Sequence, residues 1–392
     1  MVVGAGPGGS ATAHYLAQRG LDVLLLDKLD FPRDKTCGDG LTPRALRVLD
    51  DMRILPEVAA EGCAIGGYQV IAPSGRGTTA RLAGSTAALA LPRLKLDNII
   101  LRRAVASGAQ FEPRVNVTHV EPGTDGGVRL HVDGGRKMFA ARAAVIATGA
   151  ATAVLSRSGI LARQPRAMLA ARAYFDEVRA PLEDLFQLRF DHVPLPGYGW
   201  LFPVGSGIAN IGVGFLPRAG GPSRPATDAF QRFVQGRPLA RLLAGARRVG
   251  PVRGFPIRVD FLTAPTFGPS TLLVGEAAGL VNPLTGEGID YALESAQIAA
   301  DHLAAGLGRG GLDLHAYDRA LRLRFEKVFR FSQMVRDWYC FAPLLNVLVP
   351  LAEARPRLRQ MLAEVVLGER EPAGYGPLTI LARLGLYLAR QR

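Results

Sequence analysis

The chain has 392 residues, 48% apolar and 21% charged, which suits a folded protein of two or more domains and excludes a disordered one. Three cysteines (Cys37, Cys63, Cys340) are too few for a disulfide framework, and without CxxC, HExxH or ligand spacing among six histidines no metal site is expected. The formal charge of +13 attracts phosphates, nucleic acid or anionic lipid alike, but aromatics are not interleaved with the basic residues, so no nucleic-acid partner is expected and a reducing, cytoplasmic setting is the default.

Val2 and Val3 run straight into Gly4-Ala5-Gly6-Pro7-Gly8-Gly9, and a helical pattern through Ala11, Ala13, Leu16 and Ala17 follows. Strand, glycine turn and helix N-terminus together predict a phosphate cradle. Gly4 permits the tight turn, Gly6 lets the backbone approach a pyrophosphate, and Gly9 lets the helix pack close to the strand. A second apolar run, residues 23–26, ends at Asp27 at the spacing where an acid takes ribose hydroxyls. The combination predicts a bound dinucleotide, held by a very short first strand.

Residues 28–41 form an irregular, charged, glycine-marked loop that carries Cys37, Gly38 and Gly40, placed where a rigid scaffold presents chemistry. A helix is expected over 41–52, with Thr42-Pro43 near its start, and short strands over 62–82. Arg93 opens a helix that ends at Gly108, where contact with the cofactor is the functional reading. Residues 115–120 and 128–132 read as a hairpin, and 143–150 as a buried strand at whose end Gly149 lets the backbone close on the cofactor. From 167 to 258 short alternating strands dominate, with one helix over 226–243, which predicts an inserted antiparallel sheet. Tyr198 and Trp200 fall on one face of a strand there, as core or as a pocket wall, with Leu201 on the other.

Residues 272–276 return to the buried parallel type and end at Gly275-Glu276. Asn282-Pro283-Leu284-Thr285-Gly286-Glu287-Gly288-Ile289 then opens a long helix through Leu303. An acid at a strand end can bind ribityl hydroxyls, and a helix N-terminus can stabilise negative charge on a flavin pyrimidine ring. Two such stations at opposite ends of the chain suit FAD better than a bare nicotinamide nucleotide, and no second GxGxxG serves a resident NAD(P). The tail from 314 is helical. Its apolar stretch 341–351 is shorter than the roughly 20 residues of a membrane span. Residues 378–392 place leucines and arginines at helical spacing, either packed on the core or resting on anionic membrane.

These motifs resemble the FAD-dependent geranylgeranyl reductases, within the p-hydroxybenzoate hydroxylase-like flavoproteins. The resemblance covers about the first 310 residues and rests on residues 4–9, Cys37-Gly38-Asp39-Gly40, Tyr198-Gly199-Trp200-Leu201-Phe202-Pro203 and 275–289. The wording is nearest to bacterial members, including those that act on prenyl quinones. It implies an α/β chain. A Rossmann-like FAD-binding domain (1–61, 83–160, 266–312) carries an inserted antiparallel β-sheet substrate domain (62–82, 161–265), and a helical C-terminal region (313–392) follows.

The resemblance implies that Gly8 meets the pyrophosphate, Asp27 the adenosine ribose, and Cys37, Gly38 and Gly40 the flavin. Arg93 would contact FAD, Glu276, Gly288 and Ile289 the ribityl chain and pyrimidine ring, and Tyr198 and Trp200 the lipid pocket. Glu276 stands where the family usually has Asp, one methylene shorter. The implied reaction saturates isoprenoid C=C bonds of a prenyl lipid. An isolated alkene is not electrophilic, so a proton must reach one carbon while hydride from reduced flavin N5 reaches the other. That requires a proton donor in a dry apolar slot, for which Cys37 is the residue named. The expected electron donor is NAD(P)H or a small redox protein, and the expected setting is the cytoplasm, with peripheral contact to the inner face of the membrane if residues 378–392 rest on lipid. The alternatives are a monooxygenase or halogenase of the same fold, whose Trp-x-Trp-x-Ile-Pro motif residues 198–203 only partly match, and a non-enzymatic basic binding protein.

Overall fold

A computed structural model describes residues 1–81, 88–124, 126–135, 137–178, 184–217 and 225–360. Two large sheets organise them. The first has six strands in the order Phe267–Gly268, Thr271–Leu273, Ala144–Ile146, Val2–Val3, Leu24–Leu26, Gln110–Glu112, all parallel except the edge pair 267–268 with 271–273. Val2 pairs with Val145 on one side and Leu25 on the other. A strand of only two residues survives because both its edges are paired and both its faces are apolar, as a parallel sheet requires.

The chain leaves that strand through Gly4, at φ +100°, and enters helix Pro7–Gln18. This helix packs against helices Ile289–Gly308 and Arg93–Ala106. Two helices far apart in sequence thus cover the one that opens on the glycine turn.

The second sheet has seven strands, in the order Arg247–Arg258, Ala167–Asp176, Ile208–Phe215, Gly197–Gly205, Leu185–Arg189, Gly67–Ile71, Gly77–Arg81. It is antiparallel as expected except for one join. Leu185–Arg189 runs parallel to Gly67–Ile71, so the early strands dock on an insertion made much later in the chain. Register puts Tyr68 beside Phe186, Val70 and Trp200 beside Leu188, and Tyr198 beside Gly214 and Ala170 by way of strand pairing, so these side chains share one face. The opposite face, with Leu201, Ile211 and Val213, packs on Phe230 and Phe233.

Several expectations change at their edges. The helix foreseen over 226–243 is two helices, Ala226–Gln235 and Arg237–Leu242, because Gly236 and Pro238 break the ladder between them. The strand foreseen over 143–150 is only Ala144–Ile146, and the chain then turns at Gly149, φ +62°. The 115–120 and 128–132 hairpin forms as Val117–Pro122 with Val128–Val132, and Lys137–Ala141 adds a third strand.

Helix Leu314–Tyr339 belongs to the core. Phe325 and Phe329 meet Phe261 and Tyr291, with Phe329 centroids 5.0 Å from both. Each fully buried ring of this kind contributes about 1.5–3 kcal/mol. Helix Ala342–Glu353 follows, with Pro350 in its last turn. Among the described residues no helix is long and apolar enough to cross a membrane. The amphipathic pattern of 378–392 lies outside the described residues.

Candidate functional site

A cavity of about 920 Å³ runs between the two sheets. One end is the glycine turn, with Gly4, Gly6, Gly8 and Asp27. The middle holds Cys37, Gly38, Gly40, Arg93, Gly149, Gly275, Glu276, Gly286, Gly288 and Ile289. The far wall is Tyr68, Phe186, Leu188, Tyr198 and Trp200, closed by Leu345, Leu348 and Val349 of the last helix. Of the expected site residues only Gly9 is absent from this lining. A Cβ there would stand 1.7 Å from the Gly4 carbonyl oxygen, so Gly9 serves the close packing of helix on turn.

The turn is shaped for a pyrophosphate. Gly6 is extended at φ −71°, and a Cβ on it would project toward the guanidinium groups of Arg33 and Arg93, 3.6 and 3.9 Å away. No side chain caps helix Pro7–Gln18, which leaves its N-terminus to an anion. Gly8 faces another way: a Cβ there would lie 3.4 Å from both Ala292 and Val274, so its smallness admits helix Ile289–Gly308. Asp27 is 9% exposed. Its Oδ2 accepts from the Ala5 N–H at 2.7 Å and its Oδ1 from the Leu29 N–H at 2.9 Å, and each oxygen keeps a lone pair for a ribose hydroxyl. A cradle that added carbons would fill, next to a buried acid and two guanidiniums, fits FAD.

Arg93 is buried and forked on Asp97, Nη2 to Oδ2 at 2.7 Å, and Arg33 Nη1 reaches the same oxygen at 2.8 Å. Burial works against the Arg93 charge, but Asp97 and the nearby Cys37 sulfur outweigh it and hold the guanidinium above its ordinary value. The Lys35 ammonium lies 3.9 Å from the Phe255 ring centroid, and burial pulls it below its ordinary value, opposed by Glu276. Glu276 Oε1 accepts from the Arg258 N–H at 3.0 Å. Helix Ile289–Gly308 starts at Gly288 with no side-chain cap, a second open N-terminus on the cavity.

The Tyr198 hydroxyl donates to the Thr285 carbonyl, so the far wall is tied to the loop before that second helix. Burial pushes the Tyr198 hydroxyl above its ordinary value. Trp200 is 7% exposed and lies flat over Gly212, where a Cβ would sit 2.1 Å from the ring. Its Nε1 donates to Asn210 Oδ1 at 2.9 Å.

The model for the FAD binding domain matches residues 1–332. The menaquinone reductase of Mycolicibacterium smegmatis is 36% identical over 334 residues, 78% of this chain and 76% of that one. The chain belongs to this FAD-binding family, in its geranylgeranyl reductase branch. Digeranylgeranylglycerophospholipid reductase 1 of Methanopyrus kandleri is 31% identical over 306 residues, 77% of this chain and 79% of that one. Among solved structures, a geranylgeranyl bacteriochlorophyll reductase-like protein of Thermoplasma acidophilum superposes with TM-score 0.79 at 22% identity, covering 93% of this chain and 98% of that one. A flavin-dependent brominase superposes with TM-score 0.77 at 20% identity, covering 100% and 98%. The protein is an FAD-dependent oxidoreductase, and the two structural likenesses speak to its fold alone.

Sequence patterns did not single out Asp39, Asn210, Tyr174, Arg172, Asp97 or Lys35, which gather around Cys37 from four segments: its own loop, helix Arg93–Ala106, and strands Ala167–Asp176 and Ile208–Phe215. Strand pairing also creates a histidine cluster that residue spacing conceals. His119 and His131 stack at 4.0 Å and meet Glu121, with ligand atoms within 4.8 Å. Arg129 Nε lies 3.0 Å from Glu121 Oε1, so a dication would have to displace a guanidinium.

Proposed function

We propose that this enzyme saturates isoprenoid C=C bonds of a prenyl lipid by adding a proton to one carbon and hydride to the other. The observation that carries the reading is the continuity of the cavity. Its polar end has the features a dinucleotide needs, and the same space runs on to an aromatic and aliphatic wall of the kind an oily chain needs. The relatives above 30% identity carry reductase names with prenyl-type substrates, which supports reduction over halogenation.

Bound FAD would supply the hydride. The chain's own residues do the rest. Gly6 and the open helix N-terminus receive the pyrophosphate, and Asp27 the ribose. Arg93, fixed by Asp97, holds positive charge beside Cys37. Phe186, Leu188, Tyr198 and Trp200 exclude water, which an alkene protonation requires. Cys37 is the proposed proton donor from the loop side. Electrons arrive from NAD(P)H or a small redox protein. Trp338 and Phe341, 71% and 48% exposed, flank Cys340 at the cavity's helical end. They support peripheral contact with a membrane in which the substrate dissolves, checked by co-sedimentation with anionic liposomes.

The deciding experiment is mass spectrometry of lipids from cells with and without the gene. Prenyl lipids that differ in two-hydrogen steps are expected, and unchanged lipids, or products gaining oxygen or halogen, would overturn the proposal. Single-turnover oxidation of the reduced enzyme by that lipid tests the donor. Cys37→Ala should slow saturation by 10²-fold or more, in the range of lost general acid catalysis. A wild-type rate would remove Cys37 from the mechanism.

A further inference from the structure

Asp39 sits between Cys37 and strand Gly40–Leu41, fully buried, in the left-handed region at φ +65°. That conformation costs a non-glycine residue of order 1 kcal/mol or more, so something must hold it. Its carboxylate Oδ2 accepts from the Tyr174 hydroxyl at 2.6 Å and from Asn210 Nδ2 at 2.7 Å, while Oδ1 accepts from the Arg93 N–H at 3.3 Å. The same Asn210 amide donates to the Cys37 carbonyl at 2.7 Å, and Asn210 Oδ1 accepts from the Trp200 indole. The Asp39 N–H points at Cys37 Sγ, 3.4 Å away, and its carbonyl accepts from the Leu91 N–H. On either side of Asp39, Cβ atoms on Gly38 and Gly40 would approach Phe202 and Phe186 to 3.3 and 3.2 Å, so the loop lies flat on the aromatic wall.

We propose that Asp39 is a positioning residue for the reacting end of the cavity: its carboxylate, acting through Asn210, sets the Cys37 loop and the Trp200 indole as one unit. Ionised, it accepts charge-assisted bonds from a phenol, an amide and a backbone N–H at once. Protonated, it must donate a proton where donors already point at it, and the unit loosens. Burial raises its pKa from 3.8, while Tyr174, Asn210, Arg172 and Arg93 pull it back, to a balance at about 6. The groups that face it are Tyr174 and Arg172 from strand Ala167–Asp176, Arg93 from helix Arg93–Ala106 and Cys37 on its own loop. Tyr174 is itself pushed above its ordinary value by burial and by Asp39.

The chain has two tryptophans, so Trp338→Phe leaves Trp200 as a single probe for 19F NMR of holoenzyme labelled with 5-fluorotryptophan. The resonance should shift with one midpoint near pH 6. In Asp39→Asn it should stay at the low-pH position at every pH. Tyr174→Phe, which keeps the acid and removes one donor, should move the midpoint upward and serves if Asp39→Asn fails to fold. Cys37→Ala should leave the midpoint in place. A wild-type resonance that does not titrate, one that titrates equally in Asp39→Asn, or one abolished by Cys37→Ala would overturn the proposal. This readout needs no substrate, so it stands or falls apart from the prenyl-lipid reading. The kinetic arm rests on that reading: kcat for chain saturation in Asp39→Asn should fall about 10- to 100-fold with KM held, as for a misplaced reacting group, and a wild-type kcat refutes the role.

Discussion

Gly6 and Gly9 lie three residues apart in one turn, yet alanine should damage them in different ways. At Gly6 the backbone already has φ −71°, which alanine adopts, and the nearest atoms to an added Cβ are flexible guanidiniums at 3.6 and 3.9 Å. The apo fold should therefore tolerate Gly6→Ala, with a melting temperature within about 2 °C of wild type. The new methyl stands where the pyrophosphate must approach. Losing one hydrogen bond to a charged group costs about 1.5–3 kcal/mol, or about 10- to 150-fold in FAD dissociation constant. At Gly9 the Cβ would lie 1.7 Å from the Gly4 carbonyl oxygen and 3.1 Å from Ala147 Cβ. Both neighbours are rigid, so the backbone must part by about 1 Å or more, an overpacking strain of about 1–3 kcal/mol. Gly9→Ala apoprotein should melt about 2–12 °C lower, at about 2–4 °C per kcal/mol. Flavin fluorescence titration and thermal melts of the apoproteins measure both effects. Wild-type FAD affinity in Gly6→Ala, or wild-type melting in Gly9→Ala, would refute the division of labour.

The Asp39 carboxyl, raised from 3.8 to about 6 in the fold, favours folding when protonated. That contribution is complete below about pH 4 and is lost as pH rises through 6, so Asp39→Asn should gain about 2–3 kcal/mol on wild type between pH 4 and 7.5, measured by urea denaturation. Arg93→Met leaves Asp97 buried with only Arg33 against it and should cost about 3 kcal/mol. Adding Asp97→Leu should recover most of that loss, and no recovery would show that the arginine acts by packing. Gly212→Ala forces the Trp200 ring off its seat. It should lower kcat/KM for the lipid about 10-fold or more, with FAD content unchanged.

Local signals carried the cofactor end. The glycine turn, Asp27 and the opening of helix Ile289–Gly308 each follow from a handful of neighbouring residues, so strand, turn and helix N-terminus could be read from them directly. Asp39 could not be read this way. In sequence it is an acid in a charged loop. Its meaning comes from Tyr174 and Asn210, 135 and 171 residues away, which arrive only when two strands of the inserted sheet pair with each other. Gly8 teaches the same lesson. Beside the anion contact that the resemblance implies, it carries a packing demand the motif does not show, because an added carbon would meet Ala292, a partner set by helix packing. The parallel join of Leu185–Arg189 to Gly67–Ile71 was equally hidden, because alternation names a strand's faces and not the direction of its neighbour.

Val2 and Val3 are made long before the residues that complete their sheet. Their neighbour at 144–146 is itself braced by 271–273, and the first helix is sealed by residues 289–308. The grip on FAD is therefore assembled only after residue 308 has been made, so flavin loading comes late in biogenesis. Until then the nascent chain holds a bare glycine turn.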